Sequence, residues 1–89
     1  YPNVEVDISK DNWAIEVKYN AKFYDGIGQL LSQKVLYNFE ELNLIHVHKY
    51  LNPKFINGFL FLTKKLNING FLIDLREKKI LSNFNKNES

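Results

Sequence analysis

The heptapeptide Trp13-Ala14-Ile15-Glu16-Val17-Lys18-Tyr19 constrains this chain more than any other stretch. Bulky apolar residues recur at every second position, the repeat of a β-strand with one buried face. Trp13, Ile15, Val17 and Tyr19 are expected to form the core face. Ala14, Glu16 and Lys18 share the other, so a carboxylate and an ammonium sit on one side of a strand. Upstream, residues 4–8 read as a partner strand, with Ser9-Lys10-Asp11-Asn12 as the polar turn between them. Glu5 and Asp7 then share a face of that strand. The hairpin brings two or three carboxylates and one lysine together against an apolar wall.

Such a set suits metal-assisted attack on a phosphodiester. Mg²⁺ prefers carboxylate oxygen, carbonyl oxygen and water. Asp7 and Glu16 are the expected ligands, with the Val17 carbonyl as a third oxygen and Mn²⁺ as a substitute ion. A bound cation acidifies its water and neutralises phosphate charge. Lys18 is placed to orient that water or to meet charge developing on the phosphorus oxygens. Glu5 is a weaker candidate on the same face.

Asp7, a hairpin, then Glu16-Val17-Lys18 resembles the PD-(D/E)XK nuclease superfamily. Val6 stands where the family places its proline. Gly28-Gln29-Leu30-Leu31 lies where the family's next helix begins, and resembles the RecB-like and Holliday-junction-resolvase-like branches. Gln33 and Tyr37 follow at helical-turn spacing, similar to the QxxxY pattern of some members. The resemblance implies an α/β fold with a mixed central β-sheet flanked by helices, a restriction-endonuclease-like core. It also implies a supporting role for Gln29 at the mouth of the metal site; Gln33 and Tyr37 are read as a solvated face. The family's helix before the first strand has no counterpart here. The chain starts at Tyr1 without methionine, which reads as a fragment or a processed product.

With 89 residues the chain is expected to form one nuclease-like domain over 1–82 and a polar, fraying tail over 83–89. At 45% apolar and 15% aromatic it reads as globular. It contains no cysteine, which excludes disulfides and thiolate zinc sites. No apolar run is long enough to span a membrane and no signal peptide is visible, so an intracellular location is expected. Eleven lysines and one arginine against ten acids leave a net charge of +2, compatible with nucleic-acid binding.

A helix is expected from about residue 25 to 39, with Asp25 as N-cap, Gly26 and Gly28 allowing close approach, and Ile27, Leu30, Leu31 and Val35 as its apolar stripe. Residues 43–50 read as a third strand. His46 and His48 share one of its faces. Two histidines at that spacing can ligate a transition metal, but a half-exposed strand face is the preferred reading. Asn52-Pro53 starts a second helix, to about 66. A strand over 71–75 and a short hairpin to Ile80-Leu81 follow, with Asp74 expected to pair with Arg76 or a lysine, and Lys78 and Lys79 read as solvated.

The function expected is a Mg²⁺-dependent endonuclease acting on duplex or branched DNA. The rivals are a non-catalytic nucleic-acid-binding or assembly module on the same scaffold, and a small protein whose carboxylates simply pair with Lys18. A homodimer is expected, because the helix 53–66 carries more apolar surface than one stripe needs and the covering N-terminal helix is missing.

Overall fold

The computed structural model describes the main chain of residues 6–10, 12–22 and 24–83, with side chains from residue 12 onward in those ranges. The elements run β1 (Val6–Lys10), β2 (Trp13–Tyr19), α1 (Ile27–Tyr37), β3 (Glu41–His48), α2 (Pro53–Lys65), β4 (Asn69–Asp74) and β5 (Lys79–Ser82). They form an α/β fold with a mixed sheet in the order β1-β2-β3-β4-β5. The outer pairs, β1–β2 and β4–β5, are antiparallel; β2, β3 and β4 are parallel.

The first hairpin is tighter than expected. Lys10 stands opposite Trp13, so Ser9 and Lys10 belong to the strand and two residues make the turn. Such a short connection fixes register. Val4 and Glu5 lie outside the described residues.

Successive parallel strands need crossovers, and right-handed crossovers stepping the same way put their helices on the same side. Both helices here cover the face that carries Ala14 and Glu16 of β2, Leu42, Leu44, His46 and His48 of β3, and Gly70, Leu72 and Asp74 of β4. All of these are buried, together with Ile27 and Leu30 of α1 and Phe59 of α2. The chain is accordingly a slab, 37 by 35 by 18 Å. This inverts the expected core face of β2. Trp13, Ile15 and Val17 are only half-buried and Tyr19 is exposed, because they lie on the side without helices.

Local rules explain the helix ends. Asn52 caps α2, its side-chain oxygen accepting from Phe55 N at 2.8 Å, and Pro53 occupies the first turn. Lys64 and Lys65 sit in the last turn, where cations favour the helix dipole. α1 begins at Gly26 rather than at Asp25, and ends at Asn38; both cap residues are left-handed. Asp25 instead turns its carboxylate back to Lys22 N, at 3.1 Å. In the expected stripe of α1, Val35 is exposed.

Ser82 ends β5 and Asn83 is firmly held, contrary to the expected fraying there. Its main chain donates to Gly70 O and its side-chain oxygen accepts from Gly70 N, both at 3.1 Å. Its amide donates to Thr63 Oγ1 and to Ile68 O at 2.7 Å. Residues 84–89 lie outside the described ones. Among the described residues no helix is long and apolar enough to cross a membrane.

Candidate functional site

The β1–β2 register places Asp7 opposite Glu16. Directly opposed residues of an antiparallel pair share a face. The main chain of Asp7 is described; its side chain lies outside the described residues, as does the whole of Glu5. Glu16 has no exposed surface, and Lys18, one step along the same face, brings Nζ to 4.0 Å from Glu16 Oε2. Burying a carboxylate is costly unless a cation or hydrogen bonds compensate, and Lys18 supplies one such charge.

Ala14 O accepts from the Asn43 side chain and Asn20 N donates to Val47 O, so the even-numbered residues of β2 turn their main chain toward β3. The Val17 carbonyl therefore turns the other way, toward β1, where Val6 is its register partner. The donor chemistry here is hard oxygen, carboxylate and carbonyl, which fits Mg²⁺ or Mn²⁺ rather than a soft ion. Among the described residues no three of His, Cys, Asp and Glu converge as a ligand set.

Gly26 lets the start of α1 close over this face. A Cβ there would lie 2.6 Å from Leu44 Cδ1, 3.4 Å from Lys18 Cγ and 3.5 Å from Glu16 Cγ, and φ is +91°. Only glycine suits both the space and the conformation. Gly28 meets nothing within 4 Å, so the close approach expected of both glycines belongs to the first alone. Gln29 is exposed on the first turn of α1; Gln33 is half-buried and Tyr37 is exposed.

His46 and His48, expected on a half-exposed face, are both buried beneath α2, against Phe55 and Phe59. Their spacing along the strand could not reveal which side the helix would take. His46 Nε2 lies 2.9 Å from Asp25 O, and a carbonyl only accepts, so Nε2 carries the proton. The neutral ring then accepts at Nδ1 from His48 Nε2–H, at 3.3 Å. This relay ties β3 to the loop that delivers α1 onto Glu16 and Lys18. Burial holds His46 below the ordinary imidazole range, partly opposed by its bond to Asp25. Burial first and the neighbouring His46 second lower His48 to about 4. Sequence reasoning missed this positioning role because it depends on a contact between residues 21 apart.

Asp74, expected to pair with Arg76 or a lysine, is buried, and Oδ1 accepts from Glu77 N at 3.0 Å, closing the β4–β5 turn. Arg76 instead lies over the Tyr50 ring, 4.1 Å from its centroid, with Nε 3.7 Å from Glu77 Oε2. Lys78 and Lys79 are exposed. On the opposite face of the sheet an open recess of about 400 Å³ is lined by Trp13, Ile15, Glu41, Asn43, Ile45 and Phe71. It is separated from Glu16 by the sheet itself. Compared with protein-family models, with curated proteins and with solved structures, the chain matches none.

Proposed function

We propose that the chain is a divalent-metal-dependent nuclease of the PD-(D/E)XK kind, an endonuclease that hydrolyses phosphodiester bonds of DNA inside the cell. The observation that carries this reading is one strand pairing: Asp7 opposite Glu16, with Lys18 next on the same face as Glu16 and a glycine-led helix start above. In this reading Asp7 and Glu16 hold Mg²⁺ or Mn²⁺, with the Val17 carbonyl as a further oxygen. The ion would supply an acidified water and neutralise phosphate charge. Lys18 orients the attacking water and meets the charge that develops in the transition state. Gln29 supports the site from the first turn of α1. A mixed sheet with helices is compatible with many functions, so the residues and not the fold support the reading.

The test is cleavage of plasmid, single-stranded and branched DNA with Mg²⁺ or Mn²⁺, comparing the parent with Asp7→Asn and Glu16→Gln. Each variant is expected to lose about 100-fold or more in rate, since even supporting residues of a metal site cost about 10–100-fold. Calorimetry with Mn²⁺ should show binding by the parent and weaker binding by Asp7→Asn. Unchanged turnover in both variants would remove the assignment.

The second reading is a non-catalytic nucleic-acid-binding or assembly module. What favours it is the complete burial of Glu16, with Lys18 as a counter-charge already at hand. No heat with millimolar Mn²⁺ and no cleavage of any of these DNAs would select it. Under either reading we propose a homodimer. Its apolar interface lies on the open sheet face and not on α2, whose Phe55, Ile56, Leu60 and Leu62 pack against the core of their own chain.

A further inference from the structure

We infer that the end of the molecule where the parallel strands finish is a single-stranded nucleic-acid platform, with Tyr50 as the ring on which an unpaired base stacks. The C-terminal ends of β2, β3 and β4 come together there, the usual place for ligands in α/β sheets. The connections that leave this end, with the first residues of α2 and β5, carry Lys22, Lys49, Lys54, Arg76, Lys78 and Lys79, all exposed. Facing them are the exposed Glu77 and the half-buried Asp25; Glu16 and Asp74 are buried. Both helices also start at this end, which adds positive potential. At the other end the exposed Glu40 and Glu41 stand with the exposed Lys34, Lys64 and Lys65, so cations exceed acids at both ends and by more at this one.

Charge alone would suit any polyanion, and Tyr50 narrows the choice. Its residue is 52% exposed although the Arg76 guanidinium covers the ring at 4.1 Å. A base stacked on the open part of that ring would complete a guanidinium–ring–base sandwich, with Lys49 beside it for the phosphate. Aromatic rings interleaved with cations are how proteins hold single strands without reading sequence. A duplex keeps its base faces inside the stack and has none to offer. The platform is braced: Lys49 N donates to Asn20 Oδ1 at 3.0 Å, and Leu75 N to His48 O at 2.9 Å, so the three strand ends hold Tyr50 and Arg76 in place. Lys18 is the register partner of His46, so the candidate site lies roughly 10 Å back along the strands from Lys49, at about 3.3 Å per residue. In the nuclease reading one bound strand would span both. What happens to that strand rests on the nuclease reading; the binding does not.

The experiment is fluorescence anisotropy in EDTA, with labelled oligothymidine and a duplex of equal length. Oligothymidine is expected to bind more tightly than the duplex. Tyr50→Ala should weaken the single strand by about ten-fold, the effect of losing one stacked base, and leave the duplex unchanged. Tyr50→Phe should bind as the parent does, and thermal melting of both variants should match it. Lys64→Ala with Lys65→Ala, at the other end, should have no effect. Equal affinity for duplex and single strand, no binding of oligothymidine, or indifference to Tyr50→Ala would overturn the platform. Tyr50-dependent binding without metal-dependent cleavage supports the platform and overturns the nuclease reading instead.

Discussion

At the residue scale the histidine relay makes a pH prediction. His48 is lowered to about 4 from an ordinary 6.5, chiefly by burial. Between those values the unfolded chain binds a proton that the folded chain does not, so stability rises with pH through this window. It is present above about pH 6.5 and lost as the pH falls toward 4, and His46 is shifted in the same direction. Urea unfolding at pH 7 and pH 4.5 should show a loss on the order of 2 kcal/mol attributable to His48. His48→Leu should show a smaller loss over the same interval; an identical loss would mean that His48 does not bear the acid sensitivity. Gly70 makes a packing prediction. A Cβ there would lie 2.6 Å from Thr63 Oγ1 and 2.8 Å from Phe59 Cε2. Both neighbours are fully buried, so Gly70→Ala should destabilise by about 1–3 kcal/mol, the usual cost of overpacking. A denaturation midpoint equal to the parent's would contradict this.

At the scale of elements, the two helix starts differ in kind. α2 is anchored by the Asn52 side chain, and Asn52→Ala should cost about 1 kcal/mol, read as a lower urea midpoint. α1 has no side-chain cap; it is anchored by Gly26 and by the bond from His46 to Asp25 O. Gly26→Ala should therefore both destabilise the fold and displace the first turn of α1 from Glu16 and Lys18. If the proposed nuclease reading holds, metal-dependent cleavage should fall by more than the lost stability explains, and cleavage normalised to folded protein is the measurement. The Asp7–Glu16 pairing belongs to this scale too. It depends only on the hairpin register, which a two-residue connection sets.

At the scale of the molecule, the sheet has one covered face and one open face. Parallel strands are ordinarily covered on both sides, and here Trp13, Ile15, Ile45, Phe71 and Ile73 are only half-buried. If the proposed dimer uses this face, sedimentation equilibrium should give a two-chain mass at micromolar concentration, and Ile45→Lys should return a monomer that melts cooperatively. A single-chain mass for the parent, unchanged with concentration, would remove the dimer and leave the platform around Tyr50 untouched.

What the sequence determined by itself is what depends on neighbours along the chain. The alternation of 13–19 marks a strand, Asn52-Pro53 marks a helix start, and a short polar link marks a hairpin, whose tighter turn in the structure is what sets Asp7 against Glu16. The order of elements and the mixed sheet follow from the same local signals. What only the tertiary structure decided is which side of each element is inside. Alternation defines two faces of β2 but not which one the helices take, and crossover handedness put them over Ala14 and Glu16 rather than Trp13 and Ile15. The same choice buried His46 and His48, and long-range hydrogen bonds tied Asn83 to Thr63 and Ile68. These outcomes depend on contacts between residues far apart in the chain, where no local period carries information.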